Sequence, residues 1–362
     1  MNKHFLKNVT IKNVRGIKDS TLEELSDVNL LLGENNGGKT SFLEAISLLG
    51  CSDAYDMINV SSRRSDGIEG IQYMFRNHSN SFSVSSKRND DEELEVKAKY
   101  NLYRANFSKN MFLTQDRHND FSSYLIDSFH LDGKEMPAIS LELSINGATS
   151  KKDYLEADFL FGRVKQKVNL RERANKERIV YVSPSQHFKP LVNMVSKVLR
   201  SSDYTSITVA LMRLIDPSLE SISINIKPLT GEKDVYVKTK DEDPVPISLF
   251  GDGAKKALTL ACYVAMAKDG ILLIDEIETS LHHSLYSDVF AFLVKAAKQF
   301  NVQLFITTHS KEVIETFFDA TTKEPERLRV YTIRKDKNDI FVRALDSDKA
   351  KEYQEMGIEV RG

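Results

Sequence analysis

Three short runs of apolar residues stand out in the hydrophobic and polar pattern of the chain. They lie at 28–32, 271–274 and 303–306. The first two are each followed by a polar turn and then by apolar residues at helical spacing, and the third ends in polar residues. Short runs with almost no polar interruption are typical of strands that are buried on both faces. Repeated units of strand, turn and helix favour an α/β fold.

The stretch between the first run and residue 240 has a different pattern. It predicts strands at 94–102, 139–145, 154–161 and 222–226 and helices at 191–199 and 207–215. We therefore divide the chain into an N-terminal part of a core (1–56), an insertion with antiparallel strands and helices (57–240), and a C-terminal part of the core (241–362). A strand at 178–184 is expected to rejoin the core.

A glycine-rich turn joins the first apolar run to the first helix. Its sequence, GENNGGKT, fits the phosphate-binding pattern G-x-x-x-x-G-K-[ST] in the strand–turn–helix context that this pattern requires. Glycines let the backbone curl so that successive N–H groups surround a phosphate, and the helix N-terminus adds its dipole. Lys39 is predicted to neutralise the β- and γ-phosphates, and Thr40 to bind Mg²⁺. The predicted nucleotide contacts are Gly33, Glu34, Asn35, Asn36, Gly37, Gly38, Lys39, Thr40 and Ser41.

Two carboxylates follow the second apolar run, and a histidine follows the third. Asp275 and Glu276 end the run ILLI, which is the Walker B pattern. We expect Asp275 on the Mg²⁺ side of a nucleotide and Glu276 at the γ-phosphate, where it would orient or deprotonate the attacking water. His309 would bind a γ-phosphate oxygen. A histidine at a strand end is usually only polar surface, but here the strand directly follows the Walker B unit, which favours the functional interpretation.

Composition narrows the class of protein. The chain has 362 residues, 41% of them hydrophobic, which suits a globular protein with a large core. The net charge of −2 gives no sign of nucleic-acid binding, although DNA binding through a local basic patch stays open. Two cysteines indicate a reducing compartment. Because the sequence has neither a run of 18 apolar residues nor a signal-peptide pattern, we expect a cytoplasmic protein without membrane contact.

Three stretches of the sequence together resemble a known family. NVRGIKD…VNLLLGENNGGKTSFLEAI, FGDGAKKAL and ILLIDEIETSLHHSL…VQLFITTHSKEVI follow the order of the ABC-type ATPase heads of SMC, RecF and OLD (overcoming lysogenization defect) proteins. OLD-like ATPases are the most similar of these, and with LMRLIDPSLESISI the resemblance spans most of the chain. It implies an ABC-type P-loop ATPase head, a mixed β-sheet flanked by helices, with a large α+β insertion. It also implies ATP and Mg²⁺ as cofactors.

The resemblance implies roles for single residues. Lys39, Glu276 and His309 correspond to catalytic residues, Thr40, Asp275 and Gln186 to metal ligands, with Gln186 in the Q-loop, and Asn13 and Arg15 to contacts near the nucleotide. Judged from the residues alone, Arg15 would be a solvated side chain at a strand end.

The signature position of these heads is held by Ser248, Gly251, Asp252 and Gly253. In the family this segment closes over the nucleotide of another protomer, so ATP would join two protomers head to tail. Gly251 stands where the family has serine. The hydroxyl contact to the γ-phosphate is therefore lost unless Ser248 supplies it, and slower turnover is expected.

The resemblance finally suggests a biological role. We predict the ATP-binding and hydrolysing subunit of an anti-phage defence complex, which forms ATP-joined dimers or higher oligomers. It would hold or regulate a separate effector protein, a Toprim or HNH nuclease, and respond to a phage-encoded trigger. The 17 residues after Leu345 are too few for a Toprim domain, so we expect no nuclease site in this chain.

Two alternative functions stay open. The first is a RecF-like DNA-binding ATPase of repair, against which the near-neutral charge argues, because DNA affinity depends largely on neutralised phosphates. The second is a slow or non-hydrolysing scaffold that uses ATP only to join protomers. Glu276 argues against this second function because a scaffold has no need of a water-activating carboxylate.

Overall fold

The structure of the protein is a computed structural model, which describes residues 5–65, 67–108, 132–160, 178–184, 191–227, 231–279, 283–324, 327–336 and 339–346. Its strands are β1 (Val9–Val14), β2 (Ile17–Leu22), β3 (Val28–Leu32), β4 (Ser81–Lys87), β5 (Glu93–Asn106), β6 (Glu135–Ile145), β7 (Ala148–Leu155), β8 (Ile179–Val182), β9 (Leu219–Ile226), β10 (Lys233–Thr239), β11 (Val245–Pro246), β12 (Ile271–Ile274), β13 (Gln303–Thr308), β14 (Leu328–Asp336) and β15 (Asp339–Asp346). Its α-helices are α1 (Lys39–Leu48), α2 (Ala54–Ser61), α3 (Gly67–Gln72), α4 (Glu156–Leu160), α5 (Leu191–Val198), α6 (Ser202–Met212), α7 (Gly251–Met266), α8 (Tyr286–Gln299) and α9 (Lys311–Thr321).

Strands from both ends of the chain form the central sheet. Their order is β15-β14-β3-β13-β12-β8, in which β15 is antiparallel to β14 and the other neighbours are parallel. The predicted α/β class, a mixed sheet flanked by helices, is therefore confirmed. The strand that we expected to return from the insertion, β8, pairs with β12 at the edge of this sheet.

Both faces of the central sheet are buried, and this explains why its strands appear as apolar runs. Leu30 and Leu32 of β3 face one hydrophobic cluster, which helices α5 to α9 close. Leu31, between them, faces a second cluster, formed with α1 and the antiparallel sheet. Alternate residues thus enter two different cores, so no position of the strand can be polar without a partner.

Two polar residues interrupt these runs, and each is satisfied by backbone groups. Asn29 Nδ2 donates to the carbonyl oxygens of Ser26 (2.7 Å) and Leu304 (3.1 Å). Gln303 Nε2 donates to the carbonyl oxygen of Leu6 at 3.0 Å, and its Oε1 accepts the Leu6 N–H at 2.9 Å. These bonds tie the N-terminal residues of the chain to the start of β13 and make burial of both amides tolerable.

The second large sheet is entirely antiparallel and has the order β2-β1-β4-β5-β6-β7. It contains the first two strands of the chain as well as strands of the insertion. Membership of this sheet therefore crosses the boundary that we placed at residue 56, because β1 pairs with β4. A smaller sheet, β11-β10-β9, leads from the insertion into the segment before α7.

The predicted strand over 154–161 was wrong. Strand β7 ends at Leu155, and α4 follows it directly. The side chain of Asp158 accepts the backbone N–H of Leu155 at 2.7 Å, which favours a helical turn over continued pairing. The rings of Tyr154 and Phe159 lie 6.0 Å apart, so the apolar residues of this stretch pack across the strand–helix junction.

Candidate active site

The P-loop forms the turn between β3 and α1. Lys39 is buried, and its Nζ donates to the carbonyl oxygens of Gly33 (2.7 Å) and Glu34 (2.8 Å) at the start of the turn. Burial lowers the pKa of Lys39, and the carboxylates of Glu278, Glu276 and Asp275 oppose this shift. The ammonium group therefore lies inside the curl of the turn, close to three acidic residues that follow β12.

Asp275 and Thr40 meet beside the P-loop, although 235 residues separate them in sequence. Thr40 Oγ1 donates to Asp275 Oδ1 at 3.2 Å, and Thr307 Oγ1 donates to the same oxygen at 2.6 Å. Asp275 is almost completely buried. A hydroxyl and a carboxylate in contact form an all-oxygen donor set, which is the chemistry that Mg²⁺ prefers.

The other oxygen of Asp275 has a partner that sequence analysis missed. Tyr181, in β8, donates its hydroxyl to Asp275 Oδ2 at 3.0 Å. Burial first, and then the neighbouring Asp275, raise the pKa of Tyr181, so the phenol stays a donor. The guanidinium carbon of Arg63 lies 3.8 Å from the centre of the Tyr181 ring, a cation–π contact. Register explains the meeting, because Tyr181 lies opposite Leu273 in the neighbouring strand, two residues before Asp275.

Glu276 and His309 both face the cavity at the P-loop. Glu276 has a φ of +49°, a conformation that is uncommon for a residue with a side chain, and its N–H donates to Thr307 Oγ1 at 2.8 Å. Glu278 Oε1 accepts the backbone N–H of His309 at 2.9 Å. The same oxygen lies 2.8 Å from His309 Nδ1, without good hydrogen-bond geometry. Glu278 therefore fixes the position of the histidine.

The cavity has a volume of about 570 Å³, within the range of small-molecule sites. Its lining residues are Gly16, Asn35, Asn36, Gly37, Gly38, Lys39, Thr40, Ser41, Arg64, Glu276, His309, Lys335 and Ile340. Most of the predicted P-loop contacts thus share one cavity with the predicted water-activating residue and the predicted histidine. Arg64, Lys335 and Ile340 were not foreseen, because no local motif marks them.

The family resemblance placed Arg15 near the nucleotide, whereas its neighbours in sequence placed it in solvent. In the structure it lies in a buried ion pair instead. Its side chain is only 4% exposed and its Nε donates to Glu44 Oε2 at 3.0 Å. Glu44 Oε1 accepts from Arg64 Nε, also at 3.0 Å, and Arg64 rather than Arg15 reaches the cavity. Burial lowers the pKa of Arg15, and the charge of Glu44 opposes this shift.

Two further predicted residues, Asn13 and Gln186, have different outcomes. Asn13 lies in β1 with a φ of +57°, and it does not line the cavity among the described residues. Gln186, the expected Q-loop residue, lies outside the described residues.

The predicted signature segment lies at the start of α7, apart from the cavity. Ser248 belongs to a short 3-10 helix, Ile247–Phe250, and Gly251 begins α7 with a φ of +82°. Ser248, Gly251 and Asp252 are exposed. Leu249 is 73% exposed, which is unusual for a large apolar residue beside a helix N-terminus. Within one protomer, the signature residues therefore make no contact with the P-loop cavity.

Lys256, one and a half turns into α7, connects this helix to the loop after β12. Its Nζ donates to the carbonyl oxygen of Thr279 at 3.2 Å, and the residue is 8% exposed. Burial lowers the pKa of Lys256 to about 8. Because the folded-state pKa lies below the unfolded value of 10.5, the unfolded chain binds more protons above pH 8, and this group adds stability as pH rises towards 10.5.

We predict the pH dependence that Lys256 contributes. From pH 8 to 9.5, the free energy of unfolding of the unaltered protein, measured relative to Lys256→Met, should rise by about 2 kcal/mol. Urea unfolding of both proteins at several pH values measures this difference. Measured relative to Lys255→Met, in which the more exposed neighbouring lysine is replaced, the free energy of unfolding of the unaltered protein should show no such rise. Equal rises relative to both variants would contradict the assignment of this pH dependence to Lys256.

Comparison with known proteins adds the family. The sequence profile of the AAA ATPase domain family AAA_15 matches residues 5–314. The chain belongs to this family. A relative from Helicobacter pylori, named ATP/GTP phosphatase, is 21% identical over 97% of this chain and 98% of its own length. The DNA replication and repair protein RecF of Nitrosococcus oceani is 37% identical over 18% of each chain.

Solved structures agree with the fold. The crystal structure of an Smc head bound to the C-winged helix domain of ScpA superimposes with a TM-score of 0.50 over 96% of this chain and 99% of its own, at 14% identity. The chain is therefore an ATPase of this family, and it has the fold of an Smc head. Among the described residues, no helix has the length and hydrophobicity needed to cross a membrane.

Proposed function

We propose that the protein is the ATP-binding and hydrolysing subunit of an anti-phage defence complex of the OLD-like type. One observation supports the part of this proposal that concerns the nucleotide. Thr40 Oγ1 and Asp275 Oδ1 lie 3.2 Å apart beside the P-loop, in which Lys39 is buried. Glu276 and His309 line the same cavity. The defence half rests on the resemblance to stand-alone OLD-like ATPases that are paired with a separate effector.

The P-loop holds the triphosphate in this proposal. Lys39 exchanges the carbonyl oxygens of Gly33 and Glu34 for phosphate oxygens, and the N–H groups at the start of α1 add hydrogen bonds. Thr40 and Asp275 hold Mg²⁺, for which their oxygen atoms fit, and Gln186 is a third proposed ligand. Bound Mg²⁺ supplies neutralisation of the charge that develops on the phosphates. Tyr181 and Thr307 keep the Asp275 carboxylate in place.

Hydrolysis then requires a base and a donor at the γ-phosphate. Glu276 accepts a proton from the attacking water as the water oxygen bonds to phosphorus and the bond to the β–γ bridging oxygen breaks. His309, positioned by Glu278, binds a γ-phosphate oxygen. Arg64 adds a positive charge at the cavity wall, held there by Glu44 and by a 3.2 Å bond to Ser41 Oγ.

The signature segment acts on a second protomer in this proposal. Ser248, Gly251, Asp252 and Gly253 present an exposed helix N-terminus, and exposed Leu249 and Phe250 lie beside it. A helix N-terminus favours anions, and exposed apolar residues favour a protein contact. Both features fit a segment that closes over the triphosphate of a partner, so that ATP joins two copies head to tail and hydrolysis loosens them.

The size of the protein in solution tests this arrangement. With Mg²⁺ and ATP, Glu276→Gln protein should be dimeric or larger by analytical ultracentrifugation, and without ATP it should be monomeric. Adding Leu249→Asp should weaken ATP-dependent association by roughly tenfold or more, because a charge would be buried at the interface. Ile226→Asp, at a 63%-exposed apolar residue of β9, is the matched control and should have no effect. Association that ignores ATP would contradict the proposal.

A RecF-like DNA-binding ATPase is the second candidate, favoured by the local match to RecF. Two measurements separate the candidates. Purification of the tagged protein from its native cells should recover a nuclease if the defence proposal is right, and DNA or clamp proteins if it is not. Affinity for duplex DNA that falls steeply with salt would also favour the RecF-like candidate.

A further inference from the structure

The β14–β15 hairpin packs against the P-loop and the β1–β2 turn. Ile340 is buried, and its Cδ1 would lie 2.5 Å from a Cβ atom at Gly38 and 3.0 Å from one at Gly16. Gly38 also has a φ of +103°, which side chains disfavour, so glycine is required there for two reasons. Two glycines thus let one aliphatic side chain approach the backbone of both turns.

The hairpin is held in this position by the antiparallel sheet. Ser20 Oγ, in β2, donates to the carbonyl oxygen of Ile340 at 3.1 Å. The backbone N–H of Lys18 donates to Asp339 Oδ1 at 3.3 Å, and the guanidinium of Arg76 lies 3.8 Å from the same oxygen. These contacts come from β2 and from Arg76, so the start of β15 has a fixed place in the cavity wall.

The strand order assigns the hairpin to one side of the cavity. In the central sheet, β14 lies on one side of β3, and β13 and β12 lie on the other. These four strands are parallel, so the residues that follow them meet at one edge of the sheet. Glu276 and His309 therefore flank the P-loop on one side, and the hairpin flanks it on the opposite side. Since hydrolysis takes place beside Glu276, the side of the hairpin is left for the nucleoside end of a bound nucleotide.

Lys335 lies on the same face of the hairpin as Ile340. The two residues are directly opposite in the antiparallel register, and both line the cavity. Directly opposite residues of paired strands point to the same side, so Arg334 and Phe341, which form the next pair, point to the other side. Phe341 is accordingly 57% exposed, whereas Ile340 is buried.

We propose that Gly16, Lys335 and Ile340 form the subsite for the nucleoside end of ATP. Ile340 and the backbone at Gly16 provide an apolar surface for the base and ribose, and Lys335 provides a cation for the α-phosphate. This inference rests on the proposed ATP site at the P-loop. It adds that the C-terminal hairpin, far from every nucleotide motif in sequence, takes part in holding the nucleotide.

Binding of ATP and of inorganic tripolyphosphate distinguishes this role from support of the P-loop. Calorimetry with Mg²⁺ should show that Ile340→Ala and Lys335→Gln each raise the Kd for ATP by roughly fivefold or more, through loss of an apolar contact and of a charge contact. The Kd of Ile340→Ala for tripolyphosphate, which has no nucleoside, should stay within about twofold. Lys335→Gln should weaken tripolyphosphate binding as it weakens ATP binding, because both ligands fill the α-phosphate position, but its Kd for pyrophosphate should stay within about twofold. Phe341→Ala and Arg334→Gln, on the opposite face, are the matched controls and should leave all of these constants unchanged.

Three results would overturn parts of this picture, and they differ from one another. An equal loss of ATP and tripolyphosphate affinity in Ile340→Ala, or of ATP and pyrophosphate affinity in Lys335→Gln, would mean that the hairpin only supports the P-loop. Unchanged ATP affinity in both variants would remove the hairpin from the site. Lys335 is exposed, so Lys335→Gln tests the proposal even if Ile340→Ala fails to fold. If the unaltered protein bound neither ligand, the proposed ATP site itself would be refuted.

Discussion

Replacing Glu276 with glutamine should lower kcat for ATP hydrolysis by about 10²- to 10³-fold, while ATP still binds. The amide keeps the size of the side chain and its place at the cavity, but it cannot accept the proton of the attacking water. The proposed phosphate and Mg²⁺ contacts come from other residues, Lys39 and Thr40, and these do not change. Phosphate release under saturating ATP, together with nucleotide binding by calorimetry, measures the two effects separately.

A matched control tests whether the loss of kcat is specific to position 276. Glu315→Gln makes the same chemical change on an exposed turn of α9, and its kcat should equal that of the unaltered protein. If Glu276→Gln released phosphate at the unaltered rate, then Glu276 would not be the base, and the scaffold function would gain support. A loss of ATP binding in this variant would instead indicate that Glu276 shapes the cavity.

Replacing Glu44 with glutamine should destabilise the fold by about 3–5 kcal/mol. The Glu44 side chain is 1% exposed and bonds to Arg15, which is 4% exposed, so the change would leave a buried guanidinium without its counter-charge. It would also release Arg64 from its 3.0 Å contact at the cavity wall. Urea unfolding of the variant and of the unaltered protein measures the loss of stability.

Three further variants test the buried Arg15–Glu44 pair: a control, the double variant and Arg15→Met alone. Glu142→Gln, on an exposed position of β6, should change stability by less than about 0.5 kcal/mol. Combining Arg15→Met with Glu44→Gln should recover part of the lost stability, because no unpaired charge then stays buried. If Arg15→Met alone abolished ATP binding while the fold stayed stable, the expectation from the family resemblance would be right and our placement of Arg15 in a structural ion pair would be incomplete.

The sequence predicted the parts of the site that a local motif encodes. The P-loop pattern sits between a strand and a helix, and the run ILLI ends in Asp275 and Glu276, as the structure has them. The positions of these residues were predictable because strands buried on both faces must be apolar, so the sequence itself marks where each strand ends. The polar residues just after such strands then share one edge of a parallel sheet.

Other parts of the site depend on contacts with residues from distant segments of the chain, which no sequence motif marks. Tyr181 meets Asp275 only because β8 returns from the insertion to pair with β12. Arg64 lies in a stretch without hydrophobic periodicity. That Arg64 rather than Arg15 reaches the cavity depends on the buried carboxylate of Glu44, which pairs with both arginines. The strand predicted over 154–161 failed for a similar reason, since the Asp158 side chain accepts the backbone N–H of Leu155 at the point where the pairing ends.

By itself, the sequence determined the α/β class and the positions of the glycine-rich turn, of Asp275 and Glu276 and of His309 at the ends of buried strands. Only the tertiary structure decided that β1 and β2 join the sheet of the insertion, that Arg15 is buried in an ion pair, and that the last hairpin closes one side of the cavity. The physical reason is that alternation and apolar runs report which faces of an element are buried, a property of neighbouring residues. Which element covers each face depends on strand order and on contacts between residues that are hundreds of positions apart.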